Sequence, residues 1–235
     1  DLAGKDFGIR LIDVNNDGFS DLIKAKAGSH STKLNNKING WNDSSLFIIS
    51  IHTDIVDSNN IDQGLRFDDV NSDGLIDILK GKEGIGREIY LNNGTGWYNA
   101  TINWSLPLNF INSSSGDLGV NLLDLNNDGK VDIMRAQDTI KEVYLNNGSG
   151  WVAGMGWLSP ERFTDEGYNI GRRVADINGD GYSDILVAYQ SSPFQGITHI
   201  KNATNAFLLK KIINAYGGIT EINYQQSTLV NNSNN

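Results

Sequence analysis

The chain has 235 residues, a formal net charge of −9 at pH 7 and no cysteine. The lack of cysteine excludes disulfide bonds and cysteine-based zinc sites, and no basic stripe with interleaved aromatic residues supports nucleic-acid binding. No apolar run approaches the roughly 20 residues of a membrane-spanning helix, so we expect no membrane insertion. Because no signal peptide opens the chain and the first repeat begins near Asp1, we expect a fragment of a longer protein.

Four nine-residue segments of the form Asp-x-Asn-x-Asp-Gly-x-x-Asp hold much of the acidity. They begin at Asp13, Asp69, Asp124 and Asp176 and contain 12 of the 28 acidic residues, so the other 16 are balanced by 19 basic residues. Their starts are 52 to 56 residues apart. A regular period of this length indicates an array of repeated structural units.

Each repeat is predicted to begin with a short strand that runs into the acidic segment. A glycine stands five residues before the first aspartate, and an apolar residue lies between the two. After the segment, a pair of apolar residues predicts a buried strand. The glycines are Gly8, Gly64, Gly119 and Gly171, the single apolar residues are Leu11, Phe67, Leu122 and Val174, and the pairs are Leu22–Ile23, Ile78–Leu79, Ile133–Met134 and Ile185–Leu186.

A third element follows in each repeat. In Tyr90–Trp97 and Tyr144–Trp151 a strand-like run ends in Asn-Asn-Gly, a strong signal for a hairpin turn, and the tryptophan begins the next strand. The first repeat has a related sequence in Leu34–Trp41, and the fourth has a degraded one in Ile200–Phe207, as is usual where a repeat array ends. We interpret the three tryptophans as packing residues, with ligand stacking as the alternative.

Each unit of about 55 residues therefore offers four short strands, and no stretch shows helical periodicity with caps. The predicted fold class is all-β, with four β-propeller blades of four antiparallel strands each. An array of paired β-sandwich units is the alternative. We expect blades near 1–52, 53–111, 112–165 and 166–211, and then an exit strand and polar tail over 212–235 that leads to a missing region.

The acidic segments have the residue types and spacing of calcium-binding loops. Side-chain oxygens at positions 1, 3, 5 and 9, a backbone carbonyl at position 7 and a glycine at the sharp turn suit a hard cation such as Ca2+, and Mg2+ tolerates such flexible loops poorly. About four Ca2+ ions are predicted, against the alternative that the segments are merely turns. The predicted ligands are Asp13, Asn15, Asp17, Phe19, Asp21, Asp69, Asn71, Asp73, Leu75, Asp77, Asp124, Asn126, Asp128, Lys130, Asp132, Asp176, Asn178, Asp180, Tyr182 and Asp184.

The segments differ from EF-hands, which need a glutamate at position 12 and flanking helices. Position 12 is here Lys24, Lys80, Arg135 or Val187, so position 9 must close the ligand ring. Asp68, the extra carboxylate beside the second segment, is interpreted as facing solvent.

No catalytic constellation emerges from the sequence. His30, His52 and His199 lie far apart and show no ligand spacing, so each is interpreted as a surface or turn residue. Neither a nucleophile elbow nor a phosphate-binding glycine loop is present. We therefore expect that the protein is not an enzyme.

Residues of about 5 to 211 resemble the FG-GAP/VCBS repeat family, because of the four acidic segments and the two Tyr-Leu-Asn-Asn-Gly-x-Gly-Trp sequences. The family includes integrin-α-like propellers and many bacterial and archaeal surface proteins. The resemblance implies propeller blades whose loops bind Ca2+ through the residues named above.

The tail, Lys211–Thr228, resembles the segment that leaves the propeller in toxin-complex B subunits, SpvB-like proteins and other RHS/YD-repeat proteins. In those families the strand leads into a large β shell, on which the propeller acts as a docking or gating element. The shell is absent from this sequence, so no encapsulating activity is implied for the chain itself.

Together these features predict a calcium-binding propeller scaffold or docking module of a larger secreted or cell-surface RHS/toxin-like protein. A cell-surface adhesion module that binds protein or glycan, as integrin-type propellers do, is the alternative. The expected partners are protein, either the rest of the same chain or a docking partner, and possibly glycan, at an extracellular or cell-surface location.

Overall fold

The computed structural model describes residues 5–49, 54–114, 116–156, 158–177, 182–189, 195–199, 211–213 and 219–221. Within these ranges the chain forms strands and turns but no α-helix, which confirms the predicted all-β class. The described part accordingly contains no helix that is long and apolar enough to cross a membrane. The chain divides into two compact units, Asp1–Asp124 with Asp128–Ile170, and Leu125–Asn127 with Gly171–Asn235.

The first unit contains three antiparallel sheets whose main strands pair in chain order. The third sheet consists of four such strands, β9 to β12, and a short hairpin, β13–β14, which pairs with β10 in the parallel direction. The strands of the first sheet are β1 (Ile9–Ile12), β2 (Asp21–Lys26), β3 (Ser29–Asn35) and β4 (Trp41–Ser44); those of the second are β5 (Leu65–Asp68), β6 (Asp77–Lys82), β7 (Gly86–Asn92) and β8 (Trp97–Asn99); those of the third are β9 (Val120–Leu123), β10 (Asp132–Gln137), β11 (Ile140–Asn146), β12 (Trp151–Ala153), β13 (Thr164–Asp165) and β14 (Tyr168–Asn169).

The second unit contains a three-stranded antiparallel sheet and a hairpin. The sheet consists of β15 (Arg172–Ala175), β16 (Asp184–Tyr189) and β17 (Gln195–His199), and the hairpin of β18 (Lys211–Ile213) and β19 (Ile219–Glu221). The fourth strand predicted near Phe207 lies outside the described residues.

The strands fall where the repeat pattern predicts them. Each acidic segment joins the first two strands of its sheet, and in the first three repeats tryptophan opens the fourth strand. The glycine at the start of each of these three repeats is required by its surroundings. Gly8, for example, has φ +68°, and a Cβ atom there would lie 2.5 Å from the carbonyl oxygen of Ala25. Gly64 and Gly119 stand in the same relation to the second strands of their own sheets.

Two apolar cores lie between neighbouring sheets of the first unit. One joins Val14 and Ile23 of the first repeat to Leu65 and Ile78 of the second. The other joins the second repeat to the third in the same way, and its fully buried members include Leu79, Ile89 and Ile133. The second sheet therefore packs on both of its faces, as repeat architectures require of an inner unit.

Two of the three equivalent tryptophans are packing residues, as predicted. Trp97 meets Phe47 edge to face at 5.7 Å between ring centroids, and Trp151 meets Trp104 in the same way at 5.4 Å. Their indole N–H groups donate to backbone carbonyls of their own acidic loops at 2.9 Å and 3.1 Å. Trp41, at the equivalent place in the first sheet, remains 48% exposed.

Backbone hydrogen bonds tie each sheet to the segment that leads to the next one. The carbonyl of Ala25 on β2 accepts from the amide of Ile55 at 3.0 Å, and the carbonyl of Gly81 on β6 accepts from the amide of Phe110 at 2.9 Å. In the third sheet, the carbonyl of Ala136 on β10 accepts from the amide of Phe163 at 2.7 Å. Successive sheets are thus joined by regular backbone contacts as well as by apolar packing.

Candidate metal-binding loops

The first acidic loop curls around its own backbone. The carboxylate of Asp13 accepts hydrogen bonds from the amides of Asp17 at 3.1 Å and Gly18 at 2.7 Å, and the side-chain oxygen of Asn15 accepts from the amide of Asp17 at 3.2 Å. Gly18 has φ +86°, a conformation that favours glycine. Positions 1, 3 and 5 of the loop are therefore brought together by the turn that the sequence predicts.

The second and third loops have nearly the same geometry. Asp69 accepts from the amides at positions 5 and 6 of its loop at 3.1 Å and 2.7 Å, and Asp124 does so at 3.1 Å and 2.8 Å. In the fourth loop, Asn178 and Asp180 lie outside the described residues. The local sequence therefore determines one loop conformation in all three repeats in which the structure describes it.

Position 5 lies at the loop's outer end. The carboxylate of Asp17 accepts from the amide of Phe19 at 3.0 Å, and the corresponding bonds to Leu75 and Lys130 measure 2.8 Å and 3.0 Å. The ammonium group of Lys37 lies 3.3 Å from the carboxylate of Asp17. A bound divalent cation would compete with this ammonium group for the same carboxylate.

Position 9 is buried and joins the loop to the third strand. Asp21 is fully buried, and its two oxygens accept from the amides of Asn35 at 2.7 Å and Val14 at 3.1 Å. Asp77 repeats both bonds. In the same arrangement, Asp132 accepts from the amide of Asn146, and Asp184 accepts from the amide of Ile177. This carboxylate is thus a structural clasp, a role that the ligand pattern alone does not predict.

Burial opposes ionisation of the position-9 carboxyls of the first two loops. It raises the pKa of Asp77 to about 7, with smaller increases from the charges of Asp73 and Asp69, although the two backbone N–H bonds act in the opposite direction. The pKa of Asp21 is raised by the same cause. In these two loops burial and the neighbouring carboxylates destabilise the ionised form, which a nearby cation would stabilise.

Asp68 and His30 do not lie where the sequence predicts. Asp68 is half-buried rather than solvent-facing, and burial raises the pKa of its carboxyl. The side chain of His30 is 3% exposed, so its interpretation as a surface or turn residue is also wrong. Its ring nitrogens lie 2.8 Å from the carbonyl oxygen of Ile49 and 2.7 Å from the carboxylate of Asp54. His30 is a structural link within the first repeat.

In donor type, the loops fit a hard cation. Their oxygens are carboxylates, amides and carbonyls, and a carboxylate oxygen that accepts one N–H bond keeps a further lone pair. In this conformation, however, no three His, Asp or Glu side chains of the described residues form a metal-holding cluster. Ca2+ binding would require the side chains to turn towards a common point.

Two further contacts recur that the sequence prediction missed. Asp6 accepts a hydrogen bond from the amide of Gly8 at 2.7 Å and forms an ion pair with Arg10 at 2.7 Å. In the second repeat, Asp62 makes the corresponding hydrogen bond and ion pair with Gly64 and Arg66. The sequence does contain a sign of this contact, because an aspartate stands two residues before the glycine that opens each of the first three repeats. The second contact, from Asn92 and Asn146, links neighbouring repeats, as described below, and no local pattern reveals its acceptors.

The comparisons with known proteins agree with this repeat geometry. The family model described as FG-GAP-like repeat matches residues 69–135 and 124–187, which together span just over half of the chain. The chain therefore belongs to the FG-GAP-like repeat family, and the prediction of propeller-type blades is confirmed. Residues 162–235 match the family described as insecticide toxin TcdB middle/N-terminal region. This match confirms the predicted relation of the tail to toxin-complex proteins.

Two solved structures are similar over most of the chain. One is a lectin from Agrocybe aegerita that recognises non-reducing terminal N-acetylglucosamine, with 22% identity, a TM-score of 0.53 and coverage of 80% of this chain and 51% of the lectin. The other is the Photorhabdus luminescens Tc holotoxin pore, with 11% identity, a TM-score of 0.21 and coverage of 79% and 14%. The chain thus spans about half of the lectin, and this likeness shows the fold alone. No curated protein matches the chain.

Proposed function

We propose that this chain is a calcium-binding propeller scaffold or docking module of a larger secreted or cell-surface toxin-like protein. The observation that carries the proposal is the recurrence of one oxygen-rich loop, in one conformation, at the same place in successive sheets. Ordinary turns need no such repetition of three carboxylates, and like charges at this density are unfavourable unless a cation offsets them.

In the first loop the side chains of Asp13, Asn15, Asp17 and Asp21 and the backbone carbonyl of Phe19 would hold the ion, and Asp21 would also connect the loop to the third strand. The equivalent residues of the other loops would act in the same way. A bound Ca2+ supplies positive charge and no catalytic chemistry in this role. The chain's own contribution is to hold the turn in place and to connect it to the third strand.

The expected stabilisation is moderate for each site and large in total. A site with Kd of about 0.1 mM at about 1 mM free Ca2+ contributes about 1.4 kcal/mol. Four independent sites would contribute roughly 5–6 kcal/mol, which is comparable to the stability of a typical domain. Free Ca2+ of this order favours an extracellular location.

Calorimetry and thermal melting test the calcium proposal. Titration of the metal-free chain with Ca2+ should give about four sites, and Asp17→Ala should remove about one. Asp43→Ala is the matched control, because Asp43 is an exposed aspartate outside the loops, and it should leave the stoichiometry unchanged. Chelation with EDTA should lower the Tm, and Ca2+ but not Mg2+ should restore it. An unchanged melt after chelation would refute the proposal.

The docking role follows from the relation to toxin-complex proteins at residues 162–235. A repeat scaffold with no catalytic motif in its sequence is best understood as a non-catalytic module. Hydrogen exchange on the full-length protein, compared with the chain alone, tests this role. Added protection on the surface of the repeats would support docking, whereas identical exchange would contradict it.

Adhesion is a second candidate, favoured by one groove. Phe19, Asn35, Lys37 and Trp41 contribute to a cavity of about 260 Å³ at the edge of the first sheet. Exposed aromatic rings beside amide groups are suitable for stacking and hydrogen bonding to a sugar. A fluorescence titration with N-acetylglucosamine should respond in the native chain and not in Trp41→Ala. The control Tyr98→Ala, which removes an exposed aromatic ring elsewhere, should behave like the native chain.

A further inference from the structure

In the second and third sheets, one face packs on the sheet that precedes it in the chain. The second sheet buries Leu65 and Ile78 against the core of the first repeat, with Phe67 and Trp97 packed beside them. The third sheet repeats this contact on the second, through Val120, Leu122, Ile133 and Trp151. The same four positions therefore form the blade-to-blade contact twice.

The first sheet presents the same four positions, and in the described part of the chain they are exposed or half-buried. Ile9 is 45% exposed and Leu11 is 62% exposed, whereas the equivalent Leu65 is 2% exposed. Trp41 is also exposed, and Leu22 is only half-buried. We call the surface formed by Ile9, Leu11, Leu22 and Trp41 the open face. Its pattern is that of a contact surface, because exposure of contiguous apolar groups is unfavourable for a surface that stays in water.

A polar contact accompanies each buried face. The side-chain amide of Asn92 donates to the carbonyl of Val14 in the preceding repeat at 2.8 Å, and Asn146 donates to the carbonyl of Val70 at 2.8 Å. Asn35 is the equivalent residue of the first repeat. Among the described residues its amide donates to Ser20 of its own loop, at 3.2 Å. The first sheet thus carries the donor of the inter-blade bond without the partner carbonyl of a preceding sheet.

The start of the first repeat resembles a connection from a preceding blade. Asp62 and Asp117 lie in the connections that enter the second and third sheets, where they pair with Val56 and Ile111. Each also accepts from the amide two residues later, at 2.7 Å and 2.8 Å. Asp6 forms the same bond at 2.7 Å. The chain therefore enters the first sheet in the way that it enters sheets that follow another one.

Two cations, Lys24 and Lys33, accompany the apolar residues of the open face. Lys33 takes the place of the tyrosine that packs at this position in the second and third sheets, but its ammonium group pairs with Asp43 on the adjacent strand β4. Lys24 lies opposite Ile9 on the same face and has no ion-pair partner among the described residues. At its place in the next two sheets, Lys80 and Arg135 pair with Glu88 and Glu142 of their own sheets. A neighbouring blade would therefore meet one paired and one unpaired cation, and an acidic residue opposite Lys24 would complete the contact.

We propose that the open face is the docking surface for a further FG-GAP-type blade that precedes the first repeat in the same polypeptide. The blade that fits presents an apolar residue at position 2 of its loop, as Val14 and Val70 do, together with the carbonyl that Asn35 requires. The inference does not depend on calcium binding. A docked blade would cover Trp41, so this inference and the glycan-binding candidate exclude each other.

Thermal melting of two chain lengths tests the proposal. One is the present chain, and the other is lengthened by about one repeat period, about 55 residues, of its own upstream sequence. Leu11→Ala should lower the Tm of the lengthened chain by about 5 °C or more, and that of the present chain by less than about 2 °C. Phe67→Ala should lower the Tm of both lengths, because the first sheet covers Phe67 in each. Ile38→Ala, at an 86% exposed hairpin tip, should affect neither.

Three results would overturn the proposal. An upstream sequence without the repeat pattern removes the occupant. Equal effects of Leu11→Ala in both lengths mean either that nothing covers the face or that another part of the present chain already does. A Tm that rises with protein concentration, together with a dimer in sedimentation that Leu11→Ala abolishes, identifies a second copy as the occupant.

Discussion

The hydrogen bond from Asn92 to the preceding repeat offers a sharp test of how the repeats are held together. Asn92 is 2% exposed, and its amide donates to the carbonyls of Val14 at 2.8 Å and Ile76 at 3.2 Å. Its side-chain oxygen accepts from the amide of Gly94 at 2.9 Å. Substitution of Asn92 by alanine removes all three bonds and leaves the buried carbonyl of Val14 without its partner.

The expected cost follows from these contacts. Three bonds at about 1 kcal/mol each, with an added penalty for a buried unpaired group, give a loss of roughly 3–4 kcal/mol in the free energy of unfolding. Asn35 is the matched control at the same position of the first repeat. Among the described residues its side chain makes exposed bonds to Ser20 and Lys37, so Asn35→Ala should cost about 1 kcal/mol or less.

Urea unfolding followed by circular dichroism and tryptophan fluorescence measures both variants. Coincidence of the two probes establishes that a single transition is compared, which a repeat array does not guarantee. The difference between the variants should be about 2–3 kcal/mol, or about 6–10 °C in Tm. Equal costs for Asn35→Ala and Asn92→Ala would refute the reasoning, because inter-repeat hydrogen bonding would then contribute nothing measurable.

Three further predictions concern single residues. Gly64→Ala places a Cβ atom 2.5 Å from a backbone carbonyl oxygen and should lower the free energy of unfolding by about 3 kcal/mol or more. Gly84 has a similar φ but open space around it, so Gly84→Ala should lower it by about 1 kcal/mol. Similar urea midpoints for the two variants would contradict this steric argument. The raised pKa of Asp77 means that the folded state binds its proton more tightly, so its contribution to stability is complete below about pH 4 and is lost as pH rises through about 7. Calcium-free protein should therefore melt at a lower temperature at pH 8 than at about pH 5, and Asp77→Asn should reduce that difference; a Tm that rises with pH would be the opposite result. His30→Ala should cost about 2–3 kcal/mol in urea unfolding, since it leaves a buried carbonyl and Asp54 without their partner, and a cost near zero would show that the link is unimportant.

Much of the fold could be predicted because its signals are local. The glycine before each first strand, the acidic turn and the Asn-Gly hairpin each depend on the conformational preferences of a few neighbouring residues. These short-range patterns recur at a fixed period, so the number and order of strands in the first three repeats are visible in one sequence. The ligand assignments and the blade boundaries remain predictions.

The errors and omissions concern contacts between distant residues. His30 has no local sign of burial, because its partners, Ile49 and Asp54, lie about 20 residues further along the chain. The ligand pattern likewise did not reveal that Asp21 is buried and accepts from two backbone amides, one of them on the third strand.

Adjacent residues are enough to specify the repeat, the loops and the strands, because turn geometry and strand alternation are local properties. The role of each repeated position depends instead on its three-dimensional surroundings. Trp97 packs and Trp41 is exposed, and Asn92 reaches a carbonyl 78 residues away while Asn35 bonds within its own repeat. These differences arise because burial and hydrogen-bond partners depend on whether a neighbouring sheet is present, which no residue encodes alone.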